Sequence, residues 1–374
     1  MQRRERAFVS PVRENHRANP GKLPKTFFPA YHRPIFKLPS SNFSLALTGR
    51  DYINLVVSLY AISSGVPFTM AVTILHTTCL FRLRLSGKDA VSHFPEATIR
   101  GGFGYTLRAL VCAAGKSECS GCMLRHSCAY AFLFETPPPA NAPRLAKYRA
   151  VPHPFTMHAA QAGDVLTLHL TLFGQATRYL VWFIYTLNKL GQRGLGKNKV
   201  HFTVDEVTSG GNRVYSAGSD RVGAVESGSR IVLEPGEPMQ GKVSLDFLSP
   251  LVLRTRGTIH SRFDAPAFTT TLLRRVTNLN AFYGENPEAV TDPRPYVEAA
   301  KSLTVASAMT TVGRSRYSTR QKQEIDYSGI AGTVTLAGEI GTLLPLLRAG
   351  EVAGVGKNTA FGMGRYRVVK PLDE

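Results

Sequence analysis

Acidic residues are scarce in this chain of 374 residues: Asp and Glu number 26 against 45 Lys and Arg, which gives a net charge of +19. Such an excess of positive charge predicts an acidic partner. Nucleic acid is the first expectation because every phosphate carries a charge, and an anionic membrane surface is the second. The apolar share of 43% is typical of a globular protein, and the length allows two domains, each with its own core.

The N-terminus lacks anything that resembles a cleavable secretory signal, because its first fifty residues are polar and basic. Residues 52–80 carry no charged side chain and are long enough to span a membrane. Gly65 and Pro67 interrupt this stretch, however, and a span would separate the basic remainder from intracellular nucleic acid. We therefore predict a cytoplasmic protein that does not bind membranes, with membrane attachment through residues 53–75 as the competing hypothesis.

Residues 1–75 lack sustained hydrophobic periodicity and are rich in proline in places. We expect this segment to be an N-terminal extension outside the folded part of the chain. Met70 stands just before the first convincing strand. The hypothesis is that Met70 is the true start, and that the segment before it is either disordered or wrongly included in the sequence.

The sequence contains few cysteines, but four of the five fall within 17 residues. They are Cys112, Cys119, Cys122 and Cys128, in the pattern C-x6-C-x2-C-x5-C. Clustered cysteines without a secretory signal indicate a metal site rather than disulfides. We expect a structural zinc ion that braces an insertion at 112–128, with His126 able to replace one thiol. An iron–sulfur cluster or no metal at all are the alternatives.

Hydrophobic periodicity repeats along the chain. Alternating strands are predicted at 80–86, 164–174 and 242–249, helices that carry arginine at 96–112 and 269–284, and hydrophobic helices at 178–190 and 341–350. Each hydrophobic helix is followed by a glycine-rich turn, GLGKN (194–198, the first turn) or GVGKN (354–358, the second turn), and then by a strand. This order predicts two α+β units on the ferredoxin-like plan with antiparallel sheets, the first at 76–235 and the second at 236–374.

Nucleotide-binding fingerprints are absent from the second turn. A P-loop requires glycine where Glu351 stands and Ser or Thr where Asn358 stands, and a dinucleotide fingerprint requires glycine at Thr359. What remains is a glycine-rich backbone beside Lys357 and Arg365, which can approach a phosphodiester chain closely. A glycine-rich bulge that serves only the sheet is the alternative.

The segment GVGKNTAFGMGRYRV (354–368) resembles the C-terminal glycine-rich loop of the RAMP superfamily of CRISPR-associated proteins. Five blocks resemble one subgroup, the Cas-six family of precursor-RNA processing endoribonucleases, and follow that family's order. They are TIRGGFGYTLRALVC (98–112), CAYAFLFETPPP (128–139), FIYTLNKLGQRGLGKNKVHF (183–202), RYSTRQKQ (316–323) and LPLLRAGEVAGVGKNTAFGMGRYRV (344–368). Together they span about residues 79–368, and residues 1–75 lie outside the resemblance.

The resemblance implies an enzyme that cuts CRISPR repeat RNA in the precursor transcript to give mature guide RNAs. Cleavage needs no metal cofactor: the ribose 2′-OH attacks the adjacent phosphate and leaves a 2′,3′-cyclic phosphate and a 5′-OH. Such chemistry requires a base, an acid and cations on the phosphate, and histidine suits the proton transfers. Other Cas proteins of an effector complex are implied partners. The alternative is a non-catalytic RAMP subunit that only holds a guide RNA.

Three residues are predicted to be catalytic. The family often places a histidine near the start of the first helix, where His93 stands, so His93 is expected to be the general base or acid. Arg100 is expected to place this helix against the phosphates, and Tyr105 to orient a reacting group. The structural alternatives are a histidine at the helix start with no catalytic role, an arginine in a structural or solvated ion pair and a tyrosine that serves packing. His76, His153 and His158 are the other candidate histidines.

The predicted RNA-binding residues come from the two turns and from a basic cluster. The turns contribute Gly194, Gly196, Lys197, Gly354, Gly356, Lys357, Gly362, Gly364 and Arg365, and the cluster contributes Arg314, Arg316, Tyr317, Arg320 and Lys322. In the cluster, the cations would follow the phosphates while a base stacks on the Tyr317 ring. The alternative, a solvated loop, would leave neighbouring cations to repel one another.

Overall fold

A computed structural model describes residues 71–369, except 88–90, 93, 116–117, 137, 139–150, 226–227, 256, 314 and 319–322. The predicted extension lies outside these ranges up to residue 70, and so does Met70. Within the described ranges, no helix combines the length and the apolar character that crossing a membrane requires. Residues 72–80, the end of the uncharged stretch, lie in the first strand.

The described residues of the first unit form six strands and two α-helices. They are β1 (Val72–Leu85), α1 (Pro95–Val111), β2 (Phe155–Ala162), β3 (Val165–Phe173), α2 (Leu180–Arg193), β4 (Phe202–Ser209), β5 (Asn212–Ser216) and β6 (Ser229–Leu233). The strand order is β2-β3-β1-β4-β5, and β6 pairs with the N-terminal part of β1. All pairs are antiparallel, and the first four strands have the ferredoxin-like order.

The second unit repeats this plan. It contains β7 (Gln240–Phe247), β8 (Arg254–Thr255), β9 (Thr258–Ile259), α3 (Ala265–Tyr283), α4 (Arg294–Ser302), β10 (Thr304–Val312), β11 (Ser315–Ser318), β12 (Gln323–Asp326), β13 (Gly329–Glu339), α5 (Leu344–Ala353) and β14 (Tyr366–Val369). The main sheet has the order β10-β13-β7-β14, again antiparallel, and two small hairpins pair β8 with β9 and β11 with β12. The predicted tandem ferredoxin-like α+β fold is confirmed.

Alternation of side chains determines which face of each sheet is buried. In β1, Phe81, Leu83 and Leu85 are buried, whereas Arg82 and Arg84 between them are exposed. The strand begins at Val72, earlier than predicted, because its N-terminal part pairs with β6. The predicted boundary between 235 and 236 lies between β6 and β7.

Glycines allow close packing of the helices on the first sheet. A Cβ atom at Gly102 in α1 would lie 3.0 Å from Leu190 of α2, and one at Gly104 would lie 2.9 Å from the ring of Phe134. The helix therefore tolerates its glycines because larger residues would push apart elements that need to touch. In the second unit, the Asp264 carboxylate caps α3 by accepting a hydrogen bond from the Ala267 amide.

Two large hydrophobic cores and a small third cluster are present. The core of the second unit also includes first-unit residues such as Val72, Ile74 and Phe173, and the third cluster adds a further connection between the units. This cluster combines Phe94 and Ala97 at the start of α1 with Val252, Tyr327 and Met363 of the second unit. Met363 follows the second turn. The sequence after that turn is therefore held against the first helix of the other unit.

Candidate functional site

A cleft of about 170 Å³ lies between the open face of the first sheet and the segment that follows the second turn. The sheet contributes Thr78, Thr156, Met157, His158, His169 and Thr171, and the second unit contributes Glu351, Val352, Gly354, Thr359, Gly362, Met363 and Arg365. The volume is several times the share of one water molecule, roughly 30 Å³ in the liquid, so a phosphate group fits.

Two neighbouring strands direct their histidines to this cleft. Met157 and Ala159 in β2 point to the core, which leaves His158 on the opposite face, and His169 holds the equivalent position in β3. The β2–β3 register places the two histidines directly opposite each other, with ring centroids 6.1 Å apart. The sheet therefore presents a pair of imidazoles at one point of its open face.

A buried carboxylate supports one of these imidazoles. Glu96, in the first turn of α1, is only 3% exposed, and its Oε1 lies 3.2 Å from Nδ1 of His158. The same oxygen accepts a hydrogen bond from the Ala159 amide at 3.3 Å. The helix start thus places a carboxylate beside one ring nitrogen of His158 and leaves the other nitrogen for a ligand.

The second unit adds a cation to the pair. Arg365 is half-buried, and burial followed by the charge of Arg367 lowers its pKa, although a guanidinium stays protonated at neutral pH. Burial, the charge of Arg365 and then that of His158 lower the pKa of His169. At neutral pH, His169 is therefore a neutral imidazole that can accept a proton beside a permanent positive charge.

Backbone amides of the second turn and of the segment after it are largely occupied by hydrogen bonds within the second unit. The amides of Val355, Lys357, Gly362 and Gly364 donate to the carbonyls of Gly364, Val252, Thr359 and Pro250. Gly354, Gly356, Gly362 and Gly364 all have positive φ, and a Cβ atom at Gly364 would lie 1.8 Å from the Val355 carbonyl oxygen. These glycines allow tight packing of the backbone. RNA binding through their amides stays a prediction, and the side chain of Arg365, which lines the cleft, is the group here that is placed to contact a phosphate.

The first turn is a closed structure within its own unit. Leu195 and Val200 exchange backbone hydrogen bonds across it, and Gly194 and Gly196 have positive φ. Lys197 is exposed at its tip. Among the described residues, the lining of the cleft includes Gly354 of the second turn but no residue of the first turn.

Arg100 joins α1 to the segment that follows the second turn and does not line the cleft. Its guanidinium carbon lies 3.9 Å from the centroid of the Phe361 ring and 5.0 Å from that of Phe134. Its Nη2 lies 2.8 Å from Nε2 of His153. Burial, then Arg100 and Arg275, lower the pKa of His153 to about 3, so this imidazole is neutral and serves packing.

The other predicted catalytic and RNA-binding residues are dispersed. Tyr105 is 68% exposed on α1 and stacks with Arg193, whose guanidinium carbon is 5.0 Å from the ring centroid. Arg316 and Tyr317 lie in β11. The positions outside the described residues are His93, Arg314, Arg320 and Lys322. Their roles stay predictions.

The clustered cysteines line a second cavity, of about 450 Å³. All four are free, but the described residues contain no group of three or more His, Cys, Asp or Glu side chains that could hold a metal. The predicted zinc site is therefore not supported. Burial and the nearby Glu135 carboxylate raise the pKa of Cys119, which favours the thiol over the thiolate that binds metal. His126, the reserve ligand, accepts a hydrogen bond from Arg125.

Sequence reasoning missed His169 and Glu96. His169 interrupts a strand of alternating leucines, DVLTLHLTLFG, at a position that faces away from the core. That signal was available, but pairing it with His158 required the β2–β3 register. Glu96 offered no signal, since a glutamate in the first turn of a helix is common on a solvent-facing surface.

Family models match both units of the chain. Residues 73–227 match the AF_1859 N-terminal domain, and residues 245–366 match the CRISPR-associated endoribonuclease Cas6. Residues 245–366 are therefore a Cas6 domain. This domain includes the second turn, Gly362 and Arg365, so the part of the chain that closes the cleft lies within the matched segment.

Individual relatives are distant. An uncharacterized protein of Archaeoglobus fulgidus is 26% identical over 319 residues, which cover 77% of this chain and 99% of that protein. Thermus thermophilus Cas6 (TTHB231) is 16% identical with a TM-score of 0.44 and covers 79% of this chain and 99% of its own. A partial Cas6-RT-Cas1–Cas2 complex contains a chain that is 13% identical with a TM-score of 0.46, and the match covers 80% of this chain and 47% of that one.

Proposed function

We propose that this protein acts as a Cas6-type endoribonuclease that cuts CRISPR repeat RNA in the precursor transcript. The observation that carries the proposal is the cleft, which brings His158, His169 and Arg365 together in a chain with a Cas6 domain. Cleavage by attack of the ribose 2′-OH needs proton transfer and phosphate neutralisation, and these side chains can supply both. The net charge of +19 provides the long-range attraction for RNA.

Cleavage of a labelled repeat RNA from the source genome, in excess EDTA, tests this proposal. The matched control RNA carries a 2′-deoxy nucleotide at the cut site. We expect a single cut in EDTA that yields a 2′,3′-cyclic phosphate and a 5′-OH, and no cut in the control. Cleavage that requires added metal, or cleavage of the 2′-deoxy RNA, would contradict the 2′-OH mechanism.

A second candidate is a non-catalytic RAMP subunit that binds guide RNA. Two residues predicted to be catalytic make contacts with other protein side chains, which favours this candidate. Arg100 stacks on Phe361, and Tyr105 stacks with Arg193. Salt-sensitive binding of repeat RNA without any cut would support this role. Under either function we infer that other Cas proteins are partners, and co-purification from the source organism tests that inference.

A further inference from the structure

The cleft contains a histidine pair and a buried carboxylate, which RNA binding alone does not require. We propose that His169 and His158 are the general base and general acid of RNA cleavage, that Arg365 holds the scissile phosphate, and that Glu96 is a positioning residue for His158. This inference rests on the proposed function and assigns its catalytic centre to the β2–β3 hairpin rather than to His93.

The geometry suits one phosphodiester. A base and an acid must reach the attacking and the leaving oxygen of the same phosphate within hydrogen-bond distance. Imidazoles with centroids 6.1 Å apart can contact one phosphate group from two sides. The half-buried Arg365 lines the same cleft and can neutralise the charge that develops on the non-bridging oxygens.

The surroundings give the two histidines different roles. His169 is close to Arg365, which favours its neutral form and suits a base. The Nδ1 of His158 faces the Glu96 carboxylate, which compensates the charge of a doubly protonated ring and suits an acid. Glu351 also lines the cleft, but its carboxylate is committed to the Val368 amide and the Arg348 guanidinium.

The reaction balances without an added reactant. His169 accepts the 2′-OH proton while O2′ forms a bond to phosphorus. The bond from phosphorus to O5′ breaks, and protonated His158 donates its proton to O5′. The products are a 2′,3′-cyclic phosphate and a 5′-OH, and proton exchange with water restores His158 and His169.

Glycine explains how the second unit reaches this centre. Gly362 has a φ of +78°, and a Cβ atom there would lie 2.8 Å from Cγ of Glu96 and 2.9 Å from the Met157 carbonyl oxygen. The absence of a side chain lets the backbone close over the carboxylate. Oε2 of Glu96 is buried and has no hydrogen-bond partner among the described residues, so the described contacts of this carboxylate, to the Ala159 amide and the His158 ring, are made by Oε1.

Single-turnover cleavage of the repeat RNA in EDTA by the full chain tests the assignment. We expect His158→Ala and His169→Ala each to lower the rate by roughly 100-fold or more, with the Kd for RNA changed by less than about threefold. Glu96→Gln should lower the rate by roughly tenfold, and a leaving group that needs no proton should relieve most of this loss, which a merely structural defect would not show. The control is His201→Ala, an exposed histidine after the first turn. If an Ala variant fails to fold, the Gln variant replaces it.

A substrate with sulfur in place of O5′ separates the two histidines, because a thiolate leaves without protonation. We expect this substrate to restore His158→Ala to nearly the wild-type rate and to leave His169→Ala slow. Equal rates for both variants and the wild type on the normal RNA, or a defect of His158→Ala that sulfur does not relieve, would overturn the assignment while leaving the proposed function intact. Failure of the wild type to cut would overturn both.

Discussion

The first and the second turn begin with almost the same residues, GLGKN and GVGKN, and each follows a helix that ends at a glycine with positive φ. Their continuations differ. The first turn closes on itself through the Leu195–Val200 hydrogen bonds and leads directly into the strand β4. The second turn continues through a short 3-10 helix, Thr359–Phe361, and two more glycines before β14 begins.

This continuation turns a local turn into a connection between the units. Phe361 covers Arg100, Met363 packs against the start of α1, and Arg365 enters the cleft. The shared GxGKN pattern therefore encodes only the backbone reversal. The function of each turn depends on the residues that follow it, and each prediction below compares a residue in or after the second turn with one in or beside the first.

The largest difference should come from replacing glycine. Alanine at Gly364 would combine an unfavourable φ of +67° with a Cβ atom 1.8 Å from the Val355 carbonyl oxygen. We expect Gly364→Ala to lower the free energy of unfolding by about 4 kcal/mol. At Gly196 the nearest atom is Cγ2 of Thr98 at 3.3 Å, a contact that a small shift relieves, so Gly196→Ala should cost about 1 kcal/mol, mainly from its φ of +72°. Urea unfolding measures both, and equal losses would show that the second turn is no tighter than the first.

Acid should lower the stability of the protein through His153, near the segment after the second turn, more than through His201, beside the first turn. His153 contacts Arg100, whose guanidinium stacks on the ring of Phe361. The pKa of His153 is about 3 in the folded protein, whereas the same imidazole in the unfolded chain has a pKa near 6.5. The contribution of neutral His153 to the free energy of unfolding is complete above pH 6.5 and is lost as the pH falls towards 3. The loss amounts to about 3 kcal/mol by pH 4.5.

The variant His153→Gln isolates this contribution. It should remove most of the additional loss of stability between pH 6.5 and 4.5, measured as the urea midpoint at each pH. His201→Gln, beside the first turn, should keep the wild-type pH dependence. A steep dependence that survives in His153→Gln would assign it to other groups.

Removing one buried side chain from each turn region should cost similar stability but affect RNA differently. Met363 and Leu195 are each 1% exposed, and we expect their replacement by alanine to cost about 2 to 3 kcal/mol. Met363 lines the cleft, so Met363→Ala should also slow repeat cleavage under conditions where the protein stays folded. Leu195→Ala should cleave at the wild-type rate, and a slowed Leu195→Ala would extend the site towards the first turn.

The sequence predicted the duplicated fold well because periodicity is a local property. Alternation in β1 and β3 and the repeated order of elements were sufficient. The site was harder to predict because it depends on pairing: His158 meets His169 only through the β2–β3 register, and Glu96 meets His158 only when α1 packs beside β2. The glycines of the second turn stay a predicted RNA-binding element, but several backbone amides around them donate to carbonyls of the second unit, which no local pattern reveals.

The smallest effect should come from the lysine that the turns share. Lys197 and Lys357 occupy the same place in GxGKN and are both exposed. Lys357 follows the glycines beside the cleft, so Lys357→Gln should weaken repeat binding by roughly fivefold and reduce the slope of log K against log salt by about 0.7, the value for one phosphate contact on a single strand. Lys197→Gln should change both quantities by much less, because the first turn does not line the described cleft. Equal reductions in slope would mean that RNA crosses both turns, and the two halves of the duplication would then share one binding surface despite their different continuations.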